Sequence, residues 1–107
     1  MGKDGKQPKE LRNLAGIDRT IHEPARLMIL MCLYSVQKAD SLFLLNATEL
    51  SWGNLSSHMN RLEAAGYVAV EKGYVGKKPH TMVALTPAGR AAVDSYRTTM
   101  RAALGRG

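Results

Sequence analysis

The chain holds 107 residues, 45% of them hydrophobic, which suits one domain of ordinary size and excludes wholesale disorder. Fifteen Lys and Arg against nine Asp and Glu leave a net charge of +6, so a polyanion is the natural partner, nucleic acid ahead of an anionic membrane. A single cysteine, Cys32, excludes an intrachain disulfide and fits a buried thiol in a reducing, cytoplasmic setting.

Residues 1–9, MGKDGKQPK, are polar and broken by Gly and Pro, and read as a mobile basic arm. Leu11, Leu14 and Ala15 predict a short amphipathic turn or helix stopped by Gly16. The N-terminus offers no signal peptide, because Lys3 to Arg12 carries charges and no apolar stretch. The longest apolar run, Leu27 to Tyr34, falls far short of the ~20 residues that span a membrane. Pro24 suits the first turn of a helix, where its missing N–H costs nothing. From Ala25 to about Lys38 that helix is apolar nearly all round, as expected in the middle of a core.

A shorter helix is predicted from Ser41 to about Thr48, capped by Asp40 or Ser41, with Leu42, Leu45 and Phe43 turned inward. The next helix starts at the N-cap Ser51 and ends at Gly66, a natural C′ residue. Trp52, Leu55, Met59 and Leu62 recur at the spacing of one buried stripe, with Trp52 read as a core anchor. The opposite face carries Gly53, Asn54, Ser57, Asn60, Arg61 and Ala64, flanked by Ser56 and His58, and no acid. Solvated helix faces usually mix Glu with Lys, so this one is unusual. His58, at the border, suits a structural hydrogen bond or a phosphate contact equally.

After Gly66 the period changes. Tyr67 to Lys72 and Thr81 to Leu85 predict two strands, joined by a glycine-punctuated, basic connection from Gly73 to His80. Thr86 then caps a last helix with Pro87 at its first position. Its apolar stripe, Val93, Tyr96, Met100 and Ala103 or Leu104, extends past a fold that would already be compact, which points to a second copy of the chain.

A helix pair followed by a two-stranded wing suits the reading of duplex DNA. An α-helix fits the major groove, where Asn can bond adenine and Arg guanine through two atoms each. Lys72, Lys77, Lys78 and His80 would meet phosphates or the minor groove, fixing register without reading sequence. Enzyme and metal readings find no support. His22, His58 and His80 are scattered, no Cys or acid clusters with them, and GYVGKK lacks the spacing of a P-loop.

The stretches LSWGNLSSHMNRLEAAGYV and EKGYVGKKPHTMVALTPAGRAAV, with IHEPARLMIL before them, resemble winged-helix transcriptional regulators of the MarR and ArsR type over residues 20–96. The resemblance implies an α+β, mainly α fold: a three-helix core, a two-stranded wing and a C-terminal helix. Residues 1–19 would form the arm and helical segment, 20–86 the DNA-binding unit, and 87–107 a dimerisation helix. By position, Asn54, Ser56, Ser57, Asn60 and Arg61 fall on the recognition helix, and Lys77, Lys78 and His80 on the wing. At position 57 many relatives carry a longer basic side chain than this Ser. The resemblance further implies a homodimer on a partly palindromic double-stranded site, joined through terminal helices, here Leu11, Leu14, Val93, Tyr96, Met100 and Leu104. It also implies room for a small-molecule effector, which no residue here identifies; no cofactor or metal is expected, because His22, His58 and His80 are scattered without clustered Cys or acid. A docking module for protein or RNA is the alternative use of the same fold.

Overall fold

The computed structural model describes residues 8–105, so most of the expected basic arm lies outside the described residues. Helix α1 (Pro8–Arg12) runs directly into a 3-10 turn (Asn13–Gly16), so helical structure begins one residue before the expected arm ends. Helix α2 (Pro24–Val36) follows, with Pro24 at its start and the Glu23 side chain accepting from the Arg26 N–H at 2.7 Å. The chain continues through β1 (Lys38–Asp40), α3 (Ser41–Thr48), α4 (Trp52–Ala64), β2 (Val68–Val75), β3 (Lys78–Leu85) and α5 (Pro87–Leu104).

The winged helix-turn-helix architecture is as expected, with one correction. The sheet has three antiparallel strands in the order β1-β3-β2, not two. Lys38, expected at the end of α2, instead opens β1 and pairs with Ala84. Helix α2 ends where Gln37 takes a positive φ of 76°, held by its N–H to Leu33 and by its side chain between Leu85 and Arg90.

Adding β1 also changes how α3 faces the core. Asp40 both ends the strand and caps the helix, accepting from the Phe43 N–H at 2.7 Å. The Ala39–Val83 pairing fixes where the helix departs. Leu44 and Thr48 are therefore the buried residues, Leu45 is half-buried, and Leu42 and Phe43, expected inward, are exposed.

The core gathers Ile21, Ile29, Leu30, Leu33, Leu44, Leu55, Leu62, Val83 and Val93, so every main element contributes to one cluster. Helix α4 ends as its glycine predicts. Gly66 has φ +82°, its N–H bonds Glu63 and the next N–H, from Tyr67, bonds Leu62, which satisfies the last carbonyls. Just beyond, Thr86 Oγ1 donates to the Gly66 carbonyl at 2.6 Å, joining the end of α4 to the start of α5. Among the described residues no helix is long and apolar enough to cross a membrane.

Candidate nucleic-acid interface

Helix α4 is set by Ser51, whose side chain accepts from the Asn54 N–H at 3.1 Å, and by Leu55, Met59 and Leu62, which seat one face in the core. The other face follows from that seating. Asn54, Ser56, Ser57, Asn60 and Arg61 are all exposed. Their side chains enter no hydrogen bond or ion pair with other described residues, so their donors and acceptors remain available.

Trp52 departs from the expected stripe. It is 54% exposed, at the first position of α4, outside the stretch that Leu55, Met59 and Leu62 seat in the core. His58 has a structural partner instead of a free ring. Its Nδ1 lies 3.1 Å from Nη1 of the buried Arg26 and 3.9 Å from Glu23. Arg26 also donates to the Thr20 carbonyl at 2.6 Å, so one guanidinium ties the chain before α2 to the back of α4.

The hairpin is longer than its expected strands. Pairing continues from Lys72–Thr81 out to Val75–Lys78, leaving a two-residue turn at Gly76 and Lys77, with φ +64° at the glycine. A glycine at the first turn position suits the tight hairpin turns that match strand twist. Lys77 stands at the apex, and Lys72 and Lys78 are exposed on the strands. His80 is half-buried, with Nε2 3.6 Å from Oδ2 of Asp40, which braces the hairpin against the start of α3.

Two adjoining clefts flank Trp52, one between α4 and the hairpin and one between the start of α3 and the hairpin, where Asp40, Ser41 and Leu42 form the wall. The smaller, of about 210 Å³, brings Ser56 and Asn60 of α4 together with Lys72 and Thr81 of the hairpin. The larger, of about 430 Å³, holds Lys78, His80 and Val75. Trp52 lines both. Asn54, Ser57, Arg61 and Lys77 lie outside the clefts, on the outer surface of the helix and at the hairpin apex. Sequence reasoning missed Trp52, Thr81 and the apical Tyr74 and Val75. The signal for the last two was a pair of large apolar residues directly before a glycine turn, which is strand continuing rather than loop.

The expected partner surface is divided. Val93 is 1% exposed and belongs to the core, reaching the surface only as part of the lining of the groove between α2 and α5. Leu11 and Leu104 are exposed, while Leu14, Tyr96 and Met100 are half-buried. Helix α1 and the 3-10 turn lie against α5. An apolar groove of about 430 Å³ opens between α2 and α5, with Leu27, Met31, Tyr96, Met100 and Leu104 on its walls and Arg97 and Arg101 at its sides.

A family model described as a winged helix DNA-binding domain matches residues 25–104. The chain is 31% identical over 71 residues to an uncharacterised protein of Methanocaldococcus jannaschii, covering 66% of this chain and 77% of that one. A solved transcriptional regulator homologue from Pyrococcus horikoshii OT3 superposes with a TM-score of 0.80 at 27% identity, covering 90% of this chain and 94% of the other. A MarR-family transcriptional regulator from Silicibacter pomeroyi does so with a TM-score of 0.63 at 26% identity, over 92% of this chain and 64% of that one.

Proposed function

Because this chain belongs to the winged helix DNA-binding domain family, we propose that it is a homodimeric, sequence-specific regulator of transcription and not an enzyme. The observation that carries the reading is the uncommitted face of α4, acid-free from Asn54 to Arg61, beside a hairpin bearing Lys72, Lys77 and Lys78. Amide and guanidinium groups on such a face can bond base edges in the major groove, while the lysines neutralise phosphates.

Two copies would join through α5 and the α1 segment, using Leu11, Leu14, Tyr96, Met100 and Leu104. Exposed apolar area at Leu11 and Leu104, and the groove beside Met100, support that joint. Two-fold symmetry would then set half-sites about one helical turn apart, so that both α4 helices enter major grooves on one side of the duplex. Blocking a promoter in the cytoplasm is the corresponding mode of repression. The α2–α5 groove is where a small apolar effector would alter the joint.

The test is selection of bound duplexes from a random DNA library at near-physiological salt, with stoichiometry recorded. A partly palindromic motif bound by two chains is the expected result. Absence of any motif, with binding that vanishes on a modest rise in salt, would overturn sequence-specific regulation and favour docking on protein or RNA.

A further inference from the structure

We infer that the two clefts flanking Trp52 form a clamp for one sugar–phosphate strand of the duplex, with Trp52 packing on the sugar face. This inference rests on the DNA-binding reading above and adds to the wing lysines one contact, from Trp52, that belongs neither to the base-reading face nor to the wing.

Exposed apolar side chains that stand together mark contact sites, and the exposed Leu42, Trp52 and Val75 line one cleft. Trp52 is the sole tryptophan of the chain, and it is exposed at the first position of α4. It forms a wall shared by both clefts, between Ser56 and Asn60 on one side and Val75 and Lys78 on the other. If α4 lies in the major groove and the hairpin beyond its edge, the strand bordering that groove must run between them. That strand alternates apolar sugar with anionic phosphate. The two clefts together offer both surfaces: the indole, Leu42, Val75 and Pro79 for sugar, and Lys72, Lys78 and His80 for phosphate, with Asp40 also in the lining of the larger one.

Two acids lie nearby, and neither spoils the match. Asp40 is already engaged, with Oδ1 on the Phe43 N–H and Oδ2 facing His80. Glu71 pairs with Met82, and strand alternation puts it on the opposite face from Lys72 and Thr81.

A contact to sugar and phosphate carries no base information, so its signature is uniform across sequences. The experiment uses the full chain and a fluorescein-labelled, mixed-sequence duplex of roughly three helical turns at low salt. Label anisotropy reports binding, and acrylamide quenching of the single tryptophan reports its burial. Expected are a rise in anisotropy together with strong protection of Trp52. Trp52→Ala should lower affinity roughly tenfold, equally on mixed-sequence and selected duplexes, and Trp52→Phe should recover much of it. Circular dichroism should show both variants folded, since the side chain lies outside the core. A rise in anisotropy with unchanged quenching of Trp52 would overturn the clamp while leaving DNA binding intact. Loss confined to the selected duplex would also overturn it, making Trp52 a base-reading residue. No rise in anisotropy would overturn the DNA-binding reading itself, and the clamp with it.

Discussion

Arg26 and His58 meet at the back of α4, Nη1 to Nδ1 at 3.1 Å. A guanidinium has only donors, so the imidazole accepts, and its own proton in this contact sits on Nε2. Heteronuclear NMR of the ring nitrogens should therefore find the Nε2–H tautomer at neutral pH. Arg26→Met should keep the stem packed while leaving the Thr20 carbonyl and His58 Nδ1 without their donor. The expected cost is about 2 kcal/mol, or roughly 10 °C in Tm, with a non-additive term of about 1 kcal/mol in a cycle with His58→Ala. Full additivity would show that the pair does not hold α4 in place.

Tyr67 gives the pH prediction. Its hydroxyl donates to Asp18 Oδ2, and that bond, then burial, then the Asp18 charge, pushes the phenol up from 10.0 to about 12. The folded value lies above the unfolded one, so the contribution is whole below about pH 10 and disappears as pH climbs toward 12. Denaturant unfolding across that window should show falling stability. Tyr67→Phe should lower stability at pH 7 by about 1 kcal/mol and flatten the alkaline fall, since this phenol is no longer there to ionise.

Gly89 and Gly53 should respond to alanine with opposite signs. A Cβ on Gly89 would stand 2.1 Å from the Tyr67 carbonyl oxygen and 2.9 Å from Leu85 Cδ1, in the joint between α5 and the sheet. Backbone cannot yield there cheaply, so Gly89→Ala should cost about 3 kcal/mol, read as a fall in Tm. Gly53 is helical with nothing within 4 Å, and Gly53→Ala should add about 0.5 kcal/mol.

Arg61 and Lys77 separate reading from anchoring. Arg61→Ala should lower affinity for the selected duplex by about 1–3 kcal/mol and relax preference at one base position. Lys77→Ala, at the hairpin apex, should weaken all sequences alike and reduce the salt slope by about one. Competition against every single-base variant of the selected duplex distinguishes the two. A uniform loss for Arg61→Ala would remove it from the base-reading set.

What could be read in advance was whatever is local in sequence. Ser51, Pro87 and Gly66 announce helix ends because capping is decided within four residues, and all three stand where expected. The exposed face of α4 followed from Leu55, Met59 and Leu62. What escaped was set by partners distant in the chain. The three residues of β1 have no periodicity to read, and become a strand only because Val83 and its neighbours lie alongside. That pairing then sets the orientation of α3, so Leu44 rather than Leu42 turns inward. Trp52 fitted the spacing of the stripe, but spacing says nothing of where the core stops. Val93 and Leu104 share one stripe on α5 for the same reason, although the first is buried and the second is 61% exposed.

The short reach of β1 gives the sheet a mechanical character. Its last pair is Asp40–Met82, while the β2–β3 ladder runs on to Val75–Lys78. The root of the hairpin is thus a stiff three-strand plate, and the outer portion is a cantilever of roughly 15 Å at ~3.3 Å per residue. The His80–Asp40 contact acts as a strut at the fulcrum. Load applied at Lys77 is delivered to Asp40, whose other oxygen secures the first turn of α3. Displacement of the tip is therefore resisted at the first turn of α3.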